Sequence, residues 1–170
     1  LDAGLVAYYP FDGNAYDYSI NNNDGKTYGA IELTTDRFNT PRSAYYFNGR
    51  DSYILIPDDN TLNPNSITVS VWMNMESFTH TGNWIPRLFQ KGFTGQRQYE
   101  FGIASETSNG VGGALVFQSK DSGNTWRSAG TNFSLNTNKW YHVAAVYDVN
   151  KAITLYIDGK EVTDYWHQET

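Results

Sequence analysis

Between Ile67 and Met75 the side chains alternate. Ile67, Val69, Val71, Met73 and Met75 fall on one side, and Thr68, Ser70, Trp72 and Asn74 on the other. A period of two is that of a strand with one buried face, because successive Cβ atoms point to opposite sides of a sheet. The rhythm returns where Ile153, Leu155 and Ile157 alternate with Ala152, Thr154 and Tyr156. Shorter runs of the same kind occupy 4–10, 43–47, 53–56, 86–91, 98–104, 114–119, 125–129 and 140–148. Turn-forming clusters separate them: FNGRDS, PDDNTLNPNS, SNGVGG, DVNK and IDGK. Asp158-Gly159 between two such runs marks a two-residue hairpin. No stretch of ten or more residues carries an apolar period of 3.6. The chain reads as all-β, most simply as two stacked sheets.

The 170 residues suit a single domain, 1–170, with a sizeable core. No apolar run approaches the roughly 18–20 residues that span a bilayer, so no membrane insertion is expected. No secretory leader is legible, and a chain beginning at Leu1 reads as a mature or trimmed one. The net charge of −6 and the scattered Lys and Arg lack the basic stripe that holds a phosphate backbone, which argues against nucleic acid. Cysteine is absent, which removes disulfides, thiolate zinc sites and a cysteine nucleophile. Aromatic residues reach 16 %, among abundant Asn, Ser, Thr and Gly, a mixture common in strands joined by polar turns.

Three segments, in order, carry a family resemblance. They are GLVAYYPFDGNAYDYSINNNDGKTYGA at 4–30 with TTDRF and SAYYFNG after it, ITVSVWMN at 67–74, and NKWYHVAAVYDVNKAITLYIDGKEV at 138–162. Together they resemble the laminin-G and pentraxin-like branch of the concanavalin A-like lectin/glucanase superfamily. The resemblance implies a jelly-roll sandwich of two curved antiparallel sheets. It also implies further strands after YIDGK, the last reading roughly F-x-G-x-I-D-E-V-x-I-Y, whereas this sequence ends at TDYWHQET. The final strand is therefore expected to be truncated, missing or supplied by a partner chain through strand complementation.

Residues 119–126, SKDSGNTW, match S-x-D-x-G-x-T-W and resemble the Asp box of sialidases. A sialidase needs a propeller of several hundred residues, several boxes and an arginine triad. One box in a chain of this length reads instead as a hairpin turn between the runs at 114–119 and 125–129. In it Asp121 accepts backbone N–H groups and Gly123 supplies a positive φ.

Catalytic signatures are missing. Retaining glucanases of the superfamily carry E-x-D-x-x-E, which points two carboxylates into one cleft about 5 Å apart. None of Glu32, Glu76, Glu100, Glu106, Glu161 and Glu169 begins that pattern. His80, His142 and His167 form no H-x-H or H-E-x-x-H pair, and G-x-S-x-G is absent. The chain reads as a non-enzyme.

Binding residues are sought in the long loops. Sugars are held by aromatic rings against their C–H faces and by planar polar groups on their hydroxyls. SFTHTGNWIPRLF brings Trp84 and Arg87 close in sequence, TGQRQYE adds Arg97 and Tyr99, and the box hairpin adds Trp126 and Arg127. The Asn-rich segment 11–25 gathers Asp12, Asn14, Asp17, Ser19, Asn21, Asn23 and Asp24. Calcium takes six to eight oxygens, and the resemblance implies a structural Ca²⁺ here with Asp17 as first ligand and Asp12 and Asn14 next. The other reading of the segment is a polar loop that needs no ion. The expectation is an extracellular or cell-surface lectin-like module that binds carbohydrate. The alternatives are an adhesive module for a protein partner and, last, a glycan-cleaving enzyme.

Overall fold

The computed structural model describes residues 3–78, 86–92, 99–104, 112–120, 126–148 and 152–168. The backbone forms two compact units, Leu1–Pro64 and Asn65–Thr170.

In the first unit the strands are short. β1 (Lys26–Tyr28) pairs antiparallel with β4 (Tyr53–Leu55), and β2 (Ile31–Thr34) pairs with β3 (Ala44–Phe47). A single 3₁₀ turn, Asn60–Leu62, is capped by Asp59, whose side chain accepts from the Thr61 N–H. Gly29 sits at φ 71 with the Asp51 carbonyl where a Cβ would be, so no other residue fits that approach.

The run at 4–10 is not a strand, and its backbone partners explain why. The Tyr8 N–H donates to Asp17 Oδ1. The Val6 carbonyl accepts from Ser19 Oγ and Asn21 Nδ2, and the Leu5 carbonyl accepts from Asn21 Nδ2. Side chains take the groups that a neighbouring strand would otherwise use.

The second unit holds the core. β5 (Ile67–Asn74), β10 (Trp140–Tyr147), β11 (Ile153–Ile157) and β12 (Lys160–Glu161) form a sheet in the order β12-β11-β10-β5. β6 (Arg87–Lys91), β7 (Tyr99–Ala104), β8 (Ala114–Lys120), β9 (Trp126–Gly130) and β13 (Tyr165–Gln168) form a second, in the order β13-β9-β8-β7-β6. All pairs are antiparallel.

The inward faces follow the alternation. Val143, Ala145, Ile153 and Leu155 from one sheet meet Phe101, Ile103, Leu115, Phe117 and Ala129 from the other in one buried cluster. The Phe117 and Tyr147 rings stack across it, with centroids 6.2 Å apart. Burying one such ring contributes on the order of 1.5–3 kcal/mol.

The expected Asp158-Gly159 hairpin is present, with φ 50 and 78, the mirror-image turn that matches strand twist. After β12 the chain crosses between sheets. The Val162 N–H reaches the Leu155 carbonyl and the Asp164 N–H reaches the Gly130 carbonyl. β13 then runs beside β9, placing Tyr165–Gln168 at one edge of the second sheet. The architecture is an antiparallel β-sandwich of the jelly-roll kind.

Candidate functional site in the second unit

In the five-stranded sheet, Tyr99, Phe101 and Ile103 of β7 and Leu115 and Phe117 of β8 point into the core. Their alternates therefore point the other way. On that outer face the strand register lines up one row of polar residues. Gln90 stands opposite Glu100, Glu100 opposite Gln118, and Gln118 opposite Ser128. The backbone of His167 continues the row opposite Ser128. With strands spaced about 4.8 Å apart, a row across five strands extends about 19 Å.

A second row lies beside it: Arg87 opposite Gly102, Gly102 opposite Val116, and Val116 opposite Gly130. Two glycines and a valine leave a low floor, extended by Ala104 opposite Ala114. This floor is buried, while Gln90, Gln118, Ser128, Lys120 and Trp126 around it are half-buried. At one end Lys120 stands opposite Trp126, its Nζ 5.1 Å from the indole centroid, a cation–π distance.

The Arg87 Nε donates to Glu100 Oε2 at 3.0 Å, and Glu100 is 1 % exposed. A buried ion pair is a poor stabiliser against an apolar pair of the same size, since desolvating two charges offsets their attraction.

Of the six residues expected to meet a ligand, Arg87 and Trp126 lie on this face. Tyr99 does not. It is 4 % exposed and stacks on Phe89 inside the core at 5.5 Å, so alternation turns its ring away from any surface ligand. Arg127 stands opposite Ser119, on the side of β9 that carries the core residue Ala129, and so also leaves the face. Trp84 and Arg97 lie outside the described residues. So do residues 121–125 of the box, whose flanking strands β8 and β9 do pair as hairpin arms, with Lys120 opposite Trp126.

Gln90, Glu100, Gln118 and Ser128 were not anticipated. The signal was a charged residue between Tyr99 and Phe101 and an amide next to Phe117, but the register that aligns them belongs to the fold.

In the first unit, the three expected calcium ligands point to different partners. Asp17 is 5 % exposed, and each of its oxygens has two donors. Oδ1 accepts from the N–H groups of Tyr8 and Ser19, and Oδ2 from the Asn23 N–H and Ser19 Oγ, all at 2.8 Å. Burial pushes its carboxyl up, but these donors outweigh it and hold the group below the usual carboxylate range. Asn14 Oδ1 is taken by the Tyr16 N–H, and Asp12 Oδ1 accepts from Ser43 Oγ at 3.3 Å. The donor set does not fit a calcium ion, which needs converging oxygens with lone pairs to spare. The Tyr9 hydroxyl donates to the Asn23 carbonyl at 2.6 Å. Burial, with the charges of Asp17 and Asp24 behind it, pushes that hydroxyl well above its ordinary value.

A laminin-G profile, described as concanavalin A-like lectin/glucanases superfamily, matches residues 48–168. The chain belongs to that superfamily. A solved structure with a similar fold is the binding domain of Paraclostridial Mosquitocidal Protein 1, with a TM-score of 0.65 and 19 % identity. The match covers 89 % of this chain and 37 % of that one, so the chain spans just over a third of that neighbour's length. No match was found among curated proteins.

Proposed function

We propose that this concanavalin A-like module binds carbohydrate on the outer face of the five-stranded sheet, without catalysis, as part of a secreted or cell-surface protein. The register-aligned row Gln90, Glu100, Gln118 and Ser128 carries the reading. The half-buried Gln90 and Gln118 amides and the Ser128 hydroxyl stand in line as groups that pair with successive sugar hydroxyls, with the buried Glu100 carboxylate between them. The half-buried Trp126 indole offers an apolar face for sugar C–H groups.

The module is read as non-catalytic because retaining hydrolysis requires two carboxylates about 5 Å apart. Among the described residues of this face Glu100 is the one carboxylate, and it is paired with Arg87. The solved neighbour being called a binding domain supports a binding role of some kind.

The test is a glycan and polysaccharide array with the folded chain, repeated with Gln118→Ala and Trp126→Ala. Each variant is expected to weaken binding about tenfold, the size of a 1.4 kcal/mol loss. Binding untouched by both variants would remove this face from the reading. Silence across the array from folded protein would transfer the proposal to a protein partner.

A further inference from the structure

The N-terminal loop of this superfamily member invites a cation, and its geometry is built for the opposite sign. Backbone N–H groups of Tyr8, Ser19 and Asn23 and the Ser19 hydroxyl converge on one carboxylate, that of Asp17. The neighbouring oxygens are engaged in the same way. Asp24 Oδ1 accepts the Asp17 N–H at 2.9 Å. The Val6 carbonyl accepts from Ser19 Oγ, Asn21 Nδ2 and Asn23 Nδ2. Asn23, 6 % exposed, ties this cluster to the 3₁₀ turn by donating from Nδ2 to Thr61 Oγ1 at 3.0 Å.

For a calcium ion to bind Asp17, several of these donors would have to swing away, and three of them are main-chain groups fixed by the fold. We infer that the Asp17 carboxylate is itself the organising ion of the loop, ligated by N–H and O–H donors. Segments 5–9 and 17–24 are thereby held together without a metal.

The binding energy that a structural cation would supply is replaced by charge-assisted hydrogen bonds, which are among the stronger ones available to a protein. The first unit is then indifferent to chelators.

Terbium is the probe that tests this, because it occupies calcium sites and is excited through nearby tyrosines. Tyr8, Tyr16 and Tyr18 flank the loop. Titration of the whole chain with Tb³⁺ is expected to give no saturable emission. The melting temperature is expected to be the same in millimolar Ca²⁺ as in EDTA. Ligand at about 100 times its Kd raises a melting temperature by several degrees, so a real site would be visible. Saturable emission displaced by Ca²⁺, with a calcium-dependent rise in melting temperature that Asp17→Asn abolishes, would overturn the inference. Asp17→Asn is expected to lower the melting temperature equally in Ca²⁺ and EDTA. If that variant does not fold, the wild-type titration still decides, and Asp24→Asn serves as the second variant.

Discussion

In the second unit the sheet N–H groups mainly meet carbonyls on the next strand, with Leu115, His142 and Leu155 instead reaching the side chains of Thr131, Asp158 and Thr163. In the first unit a backbone N–H often meets a side-chain oxygen. Asp17 takes three such groups, Asp36 takes the N–H groups of Phe38 and Thr40, and Asn48 Oδ1 takes those of Arg50, Asp51 and Ser52. Asp59 does the same for Thr61. The first unit also leaves Tyr8, Tyr16, Tyr18 and Phe38 exposed, whereas Phe101 and Phe117 of the second are fully buried. One region is held by short-range polar turns and the other by a shared apolar interior. The lesson is that the same all-β chain should fail in two different ways.

Spectroscopy can separate the two. All five tryptophans, at 72, 84, 126, 140 and 166, lie in the second unit, while eight of the thirteen tyrosines lie in the first. The largest expected effect is Phe117→Ala, which empties the middle of the sandwich and should cost about 3–5 kcal/mol. It would be read as an early loss of tryptophan fluorescence in urea. If the tyrosine signal of the first unit moved equally, the contrast between the regions would be lost.

Arg87→Met comes next. It removes the ion-pair partner of the buried Glu100 carboxylate and should cost about 3 kcal/mol, most of it restored in the double variant Arg87→Met/Glu100→Leu. The same denaturation curves would show the restoration. A double variant no better than the single one would mean that the pair is not the source of the cost.

Asp17→Asn should cost about 1–3 kcal/mol, since a neutral amide presents an N–H group to donors that had faced an oxygen. Its pH dependence has a fixed sign. The folded carboxyl lies below its unfolded value, so its contribution is complete above about pH 5. It is lost as pH falls through the folded value. Acid titration followed by tyrosine signals should show the wild type weakening there, and Asp17→Asn lacking that component. Smallest is Tyr18→Ala. The ring is 61 % exposed, and its removal should change stability by less than about 0.5 kcal/mol in a thermal melt.

The strands of the second unit could be read from the chain because each turns alternate residues into a shared core. Ile67 to Asn74, the runs of β6 to β11 and the Asp158-Gly159 turn carry that imprint directly. The first unit could not be read that way. Residues 4–10 alternate like a strand, yet Asp17, Ser19 and Asn21 capture their backbone. β1 and β2 are three and four residues long, too short to show a period. For the candidate site, loops suggested Trp126 and Arg87, whereas Gln90, Glu100, Gln118 and Ser128 become neighbours only through cross-strand register. Tyr99 was misplaced because one residue along a strand changes the face.

The connectivity of the two sheets has a kinetic consequence. β6 to β9 pair with their neighbours along the chain, so each contact closes a short loop. The β5–β10 pairing joins Asn74 to Trp140 and Ile67 to Tyr147, positions at least 66 residues apart. Contacts that close long loops form slowly, because the chain must lose much of its freedom before they reward it. The meander that bears the polar row is therefore expected to assemble first, with the β5–β10 seam closing after it.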